Sequence, residues 1–336
     1  MPFALVDNSV RHREIEKGIS MMIKTNHDLA VEFHASAATH VGLGRKSKQD
    51  RYFVGRLQCR EECFETDVDF SGEVGFKPGD HRFNFAPGGG SLLIVADGAG
   101  GGVSGDVAAE TAVASFVEFM DSRGNSACRD SKDEEYWVGL LHLGIQHCQD
   151  RILEHQHLHP ECAGMGTTFS ACVLVGSRAY IVHAGDSRIY LARGRKLTQL
   201  TTDQTIGQRL VEEGAMTHKQ ASRSQLAHCV WSALGGTNIS REPQVFGIDI
   251  RSQDKLLLCS DGLTNELGDR ELNRLLSGDS DAVHLCARMI ERALEEGARD
   301  NVTVVVGEYM SIGSYAVADP EYSEPVHNLA LSRVGR

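Results

Sequence analysis

The sequence predicts a layered α+β domain, not an alternating α/β one with a parallel sheet. Two observations carry this. Helical patterns come in two long pairs whereas strand patterns come in runs, so simple strand-helix-strand crossovers do not fit. TTFSACVLV, RAYIVHAG, SRIYLAR and KLTQL, from Thr167 to Leu200, follow one another as short apolar runs separated by glycine and charged turns, the signature of an antiparallel meander. The chain has 336 residues, of which 41% are hydrophobic, enough to bury a sizeable core in one large domain or two ordinary ones.

Taken in order, residues 1–26 are polar with one short apolar run and read as an N-terminal extension, and the domain itself is expected over 27–309. LAVEFHAS and RYFVGRL read as strands with GLGRKSKQD between them. Residues 59–90 turn acidic and glycine-rich, ending in APGGGS, which predicts a surface insertion. The run LLIVA (Leu92 to Ala96) is a buried strand, and SGDVAAETAVASFVEFM a helix capped by Ser104. A charged loop leads to a second helix, EYWVGLLHLGIQHCQDRILEH, and then to the meander. Residues 203–226 are polar and helical, less apolar than their flanks, and predict a mobile flap. VFGIDI and KLLLCS resume the sheet, two helices follow through AVHLCARMIERALEEGA, and NVTVVVGEY is the last strand. The tail, 310–336, has little to bury and is expected to be disordered.

A formal net charge of −12, with no long basic run, argues against nucleic acid and anionic membranes as partners. The start, MPFALVDNSVRHREIEKG, has charges where a secretory signal needs an apolar stretch, and no segment is long enough to span a bilayer. A cytoplasmic protein is expected. The nine cysteines are odd in number and several lie in apolar runs, which reads as buried free thiols in a reducing compartment. Cys59 and Cys63 resemble half a zinc site, but no second pair follows at finger spacing. His155, His157 and His159 close an amphipathic pattern ahead of Pro160 and read as a solvated helix end.

The chemistry sits at strand ends. LLIVADG places Asp97 before Gly98, and KLLLCSDGL places Asp261 before Gly262. AYIVHAGDSR puts Asp186 after a third apolar run, and ARDNVTVVV puts Asp300 ahead of the last. One Asp-Gly alone is more often a turn than a ligand. The recurrence shifts the balance, because several anions gathered at one sheet edge are unfavourable without a cation. Oxygen donors without matched His or Cys favour Mg²⁺ or Mn²⁺ over zinc. Gly100, Gly102 and Gly105 also match the dinucleotide-binding pattern G-x-G-x-x-G, which would make the chain a nucleotide-binding oxidoreductase. That site needs a parallel strand soon after the helix, and here a charged loop and another helix follow.

VADGAGG, GMGTTFSACVL, VHAGDSRIYLAR, LCSDGLT and RDNVTVVV, in that order, resemble the metal-dependent protein phosphatases of type 2C in their bacterial form, and GRKSKQD resembles that family's first motif. The resemblance covers roughly Val31 to Glu308. It implies a four-layer αββα sandwich of two antiparallel sheets flanked by helix pairs, with two Mn²⁺ or Mg²⁺ ions at one edge. By the same resemblance Asp97 bridges both ions, the Gly98 carbonyl binds the second, and Asp261 and Asp300 hold the first. Asp50 acts through water and Arg45 holds the substrate phosphate. The implied reaction is hydrolysis of phosphoserine and phosphothreonine in proteins by a water or hydroxide between the ions. The implied partners are phosphorylated proteins, substrates of a Ser/Thr kinase.

The chain departs from the family pattern in three places. Gln49 stands where some members have a glutamate ligand, so an amide oxygen would coordinate without charge. Ala99 replaces a histidine that some eukaryotic members offer as general acid, leaving that proton to a metal-bound water. Ala163 lies where many bacterial relatives have an aspartate for a third metal, with Glu161 nearby in sequence. These departures keep an alternative open: a catalytically weak phosphatase-like domain that binds a phosphoprotein or regulates a kinase pathway. The Asp186 and Arg188 pair of GDSR is expected to brace the strand turn, Thr167 and Thr168 to satisfy backbone groups, Asn301 to orient Asp300, and Arg209, Lys219 and Arg223 of the flap to meet acidic phosphopeptides or lie on a solvated face.

Overall fold

The computed structural model describes residues 31–57, 79–84, 90–99, 104–123, 132–221, 223–236 and 243–311. The N-terminal extension, the tail beyond Ser311, Cys59, Cys63, Cys128, Gly100 and Gly102 lie outside them.

Strands β1 (Val31–His40), β3 (Gly79–Asn84), β9 (Arg188–Arg193), β10 (Lys196–Gln199), β13 (Lys255–Cys259) and β14 (Val302–Ser311) form a six-stranded sheet in the order β10-β9-β13-β14-β1-β3. A second sheet of five takes β2 (Arg51–Leu57), β4 (Gly90–Ala96), β7 (Phe169–Val175), β8 (Arg178–Ala184) and β12 (Gln244–Asp249) in the order β12-β8-β7-β4-β2. Three two-residue strands, β5 (Gly98–Ala99), β6 (Gly166–Thr167) and β11 (Leu234–Gly235), make a small third sheet. Every ladder among the described residues is antiparallel.

Burial explains the layering. Along β4, Leu92, Ile94 and Ala96 face a helix-covered core, while Leu93 and Val95 enter a core between the sheets. Strand β13 divides likewise, Leu256 and Leu258 pointing between the sheets, Leu257 and Cys259 toward the helices on the other side. Strands buried on both faces have no polar alternation, which is why LLIVA and KLLLC read as continuous apolar runs. Helices α1 (Gly105–Ser122) and α2 (Glu134–Leu158) cover the five-stranded sheet. On the six-stranded sheet lie α5 (Asp261–Thr264), α6 (Asp269–Leu276) and α7 (Ala282–Glu296). The result is the four-layer αββα sandwich. The flap holds α3 (Ile206–Glu212) and α4 (His218–Ala221).

Local signals place the helix ends. Asp133 accepts from Tyr136 N to start α2 and Asp281 from His284 N to start α7, which ends at Gly297 with φ 118°. Ser104 occupies the N-cap position of α1, but its side chain makes no capping bond. Its backbone, at φ −126° and ψ 3°, is out of the extended region from which a capping hydroxyl reaches back. The expected insertion at 59–90 is also corrected in part, because Gly79–Asn84 pairs with β1 as an edge strand. The cysteine reading holds for Cys148, Cys162, Cys172, Cys259 and Cys286, which are buried free thiols, while Cys229 is exposed. No helix of the described residues is long and apolar enough to cross a membrane.

Candidate active site

Register brings the acids together. Arg51 opens β2 opposite Ala96, the last residue of β4, so Asp50 and Asp97 leave their ladder side by side. In the other sheet Cys259 of β13 pairs with Val304 and His40 of β1 with Val302. Asp261, Asp300 and the loop 41–50 therefore emerge at one end. The β8–β9 turn adds Asp186. The two sheets meet there through Ser260 Oγ, which donates to Asp50 Oδ2 at 2.7 Å and accepts from Thr303 N at 3.0 Å.

The acids raise one another's pKa. Burial pushes Asp50 up to about 6, against hydrogen bonds from Thr303 and Ser260 that favour its anion. Asp97 lies well above the usual carboxylate range because of burial first, then the charges of Asp50, Asp261, Asp186 and Asp300. Asp261 is raised by burial and by Asp300, and Asp186 reaches about 8 through burial and the Asp261 charge. Asp50 Oδ1 and Asp261 Oδ1 are buried with no hydrogen-bond partner.

Arg45 faces this cluster and grips Asp300 with both arms, Nε to Oδ1 at 2.8 Å and Nη2 to Oδ2 at 2.7 Å. Among the described residues no three His, Cys, Asp or Glu side chains are arranged to hold a metal ion as they stand. Asp300 is turned to the guanidinium. The donor chemistry nevertheless fits a hard cation: carboxylate and carbonyl oxygens, two of them buried without partners, in a cluster whose like charges resist ionisation.

Supporting groups fix the strand ends. Thr167 Oγ1 donates to Asp97 O at 2.9 Å and Thr168 Oγ1 accepts from Asp97 N at 3.0 Å, the backbone role expected of these threonines. Glycine at 98 and 105 lets β5 and α1 touch: a Cβ on Gly98 would lie 2.2 Å from Gly105 O and 2.9 Å from Gln49 O. The Gln49 amide nitrogen would stand 2.8 Å from a Cβ on Gly105, so this side chain packs at the start of α1. Since α2 follows α1 and every ladder among the described residues is antiparallel, Gly105 serves packing here, and the described residues hold no parallel strand of a dinucleotide fold.

One sequence expectation needs correction. Arg188 does not pair with Asp186. Its guanidinium binds Asp203, Nε to Oδ1 at 2.8 Å and Nη2 to Oδ2 at 2.6 Å, leaving Asp186 buried within the acidic cluster. Asp186 is the site residue that sequence reasoning assigned elsewhere, although its place after an apolar strand matched that of Asp97. The Asn301 side chain orients the 41–50 loop, accepting from Gln49 N at 2.6 Å and donating to Val41 O and Ser47 O, while its backbone N–H binds Asp300 Oδ1 at 2.8 Å. The flap is rooted beside Asp186, since Gln204 exchanges bonds with Gly185 through its N–H (2.7 Å) and its Oε1 (3.0 Å). Arg209 of the flap is engaged by Glu213 at 2.9 Å.

Comparison with known proteins points to one family. The family description protein phosphatase 2C matches residues 80–305. The Ser/Thr protein phosphatase PstP of Mycobacterium tuberculosis is 34% identical over 220 residues, 66% of this chain, which spans only 40% of that protein's length. The Ser/Thr phosphatase stp of Listeria monocytogenes is 32% identical over 217 residues, 65% of this chain and 84% of its own. A crystal structure of the PstP catalytic domain in complex with two manganese ions superposes with a TM-score of 0.63 at 29% identity, covering 83% of this chain and 99% of that one.

Proposed function

The chain belongs to the protein phosphatase 2C family, and from that premise we propose that it hydrolyses phosphoserine and phosphothreonine in proteins with two Mn²⁺ or Mg²⁺ ions. The observation that carries the proposal is the edge where Asp50, Asp97, Asp186, Asp261 and Asp300 converge, the first four with raised pKa values and Asp50 and Asp261 each with a buried oxygen that has no hydrogen-bond partner.

Asp97, the Gly98 carbonyl, Asp261 and Asp300 would hold the ions, with the amide of Gln49 as a neutral neighbour. When bound, the ions supply an acidified water for attack on phosphorus and offset charge on the phosphoryl oxygens. The protein's own groups do the rest. Arg45, whose side chain is 51% exposed, presents a planar fork that matches two phosphoryl oxygens. Asp50 offers its free Oδ1 as an acceptor for a water at the centre while Ser260 holds Oδ2 in place. No imidazole stands at position 99, so the leaving alkoxide takes its proton from water.

The test is phosphate release from a phosphoserine or phosphothreonine peptide by purified protein with added Mn²⁺, repeated with excess chelator and with Asp97→Asn. Release that stops in both controls supports hydrolysis. A folded protein that binds Mn²⁺ yet releases no more phosphate than Asp97→Asn favours the alternative, a phosphoprotein-binding domain without turnover.

A further inference from the structure

A groove between α6 and the β9–β10 hairpin is lined by arginine, on a chain whose net charge is −12. We propose that this groove docks a short acidic segment of a partner protein, held extended along α6 by Arg195, Arg270 and Arg274. That the partner is a phosphorylated substrate rests on the functional reading above; the docking itself requires no hydrolysis.

Three observations support it. First, α6 divides its residues between two faces. Leu272 and Leu276 are buried in the core beneath the six-stranded sheet, and Leu275 packs against that core. Arg270, Asn273, Arg274 and Ser277 recur at the spacing of a second face and, with Arg195 and Glu271, line an open groove of about 920 Å³. The stripe from 270 to 277 runs about 10 Å along the helix, the length of about three residues of extended chain. Charge spread over that length suits a run of acidic residues better than one compact anion.

Second, the facing wall is fixed in place. Strands β9 and β10 pair Arg193 with Lys196, which leaves Gly194 and Arg195 as a two-residue turn with Gly194 at φ +61°. Asn273 Nδ2 donates to Arg195 O at 3.1 Å and ties this turn to α6. The backbone of Arg195 is thereby held against the helix while its side chain stays exposed.

Third, the cations are not spent on internal partners. Among the described residues the side chains of Arg195 and Arg270 are exposed and make no ion pair or hydrogen bond, whereas Arg188 and Arg193 of the same hairpin are bound to Asp203 and Asp254. The nearby acids are themselves engaged. Glu271 lies between Arg274 at 2.6 Å and Arg292 at 3.4 Å, and Asp269 Oδ1 accepts from Tyr190 OH at 3.1 Å. The lining is therefore positive. At physiological salt such a field reaches only about 8 Å. A short acidic segment meets the groove alone, while a nucleic acid or an anionic membrane would also meet the acidic remainder of the surface.

Fluorescence anisotropy tests this with a labelled, unphosphorylated peptide carrying about four consecutive Asp and Glu residues, added to chelator-treated protein at low ionic strength. Wild type is compared with Arg195→Glu/Arg270→Glu and with Arg123→Glu/Arg151→Glu. The second pair makes the same change in net charge on the helices of the other sheet. Two attractions lost and two repulsions gained, each the size of an exposed ion pair, predict about tenfold weaker binding in the groove variant. The control variant should stay within about twofold of wild type, and Arg195→Gln/Arg270→Gln should fall between. Unchanged circular dichroism spectra show that the variants are folded. No peptide binding to wild type, or equal weakening in both charge-reversed variants, overturns the inference. So does an oligonucleotide of equal charge that binds more tightly through the same arginines. None of these readouts needs turnover, so failure of the phosphatase reading would show separately, as absent phosphate release with Mn²⁺.

Discussion

Replacing Asp50 by asparagine isolates the cost of gathering anions at this edge. Asp50 is 2% exposed, hydrogen-bonded at Oδ2 and unpartnered at Oδ1, and its pKa rises from 3.8 to about 6, with burial the largest cause. Because the folded-state value is the higher one, the fold binds this proton more tightly than the unfolded chain does. The stability linked to it is complete below pH 3.8 and is lost as pH rises through 6. A shift of about two units corresponds to about 3 kcal/mol. Asparagine is neutral throughout and can keep the bond from Ser260. In chelated, metal-free protein at pH 7.5, Asp50→Asn should therefore be more stable than wild type by about 3 kcal/mol, or roughly 6–10 °C in Tm. The gain should fall to about half at pH 5 and nearly vanish by pH 4. Thermal denaturation followed by circular dichroism at the three pH values measures it. A variant less stable than wild type at pH 7.5, or a gain independent of pH, refutes the argument that desolvated charge is what this site stores.

Other substitutions separate chemistry from support. Asp97→Asn should lower Mn²⁺-dependent phosphate release by about 100-fold or more with an unchanged circular dichroism spectrum. Asn301→Ala removes three side-chain bonds to the 41–50 loop and should cost about 2–3 kcal/mol in chemical denaturation, with reduced phosphate release. Gly262→Ala would put a Cβ 1.9 Å from Asn301 O, so it should destabilise by about 2 kcal/mol or more and abolish release by displacing Asp261.

Much of the fold was legible because its strands are buried on both faces. LLIVA and KLLLC cannot alternate with polar residues when Leu92 meets the helices and Leu93 the opposite sheet. Asp97, Asp261 and Asp300 were legible for a related reason, since a carboxylate next to such a strand lies at the sandwich edge whatever the pairing. What depends on pairing was not legible. The strand Gly79–Asn84 owes its place to backbone bonds with β1 and is polar in sequence. Asp186 and Arg188 share one turn, yet Arg188 turns to Asp203 and Asp186 to the acids, a division set by a distant strand end. The Asn301 side chain reaches Val41, Ser47 and Gln49 across β1 and β14, a contact that only the folded register creates.

The most direct measurement is a crystal structure of Mn²⁺-soaked protein with anomalous difference density. Two peaks among Asp97, the Gly98 carbonyl, Asp261 and Asp300, both absent in Asp97→Asn, are the predicted result. Well-ordered carboxylates with no peak between them, at Mn²⁺ concentrations that support phosphate release, would contradict it.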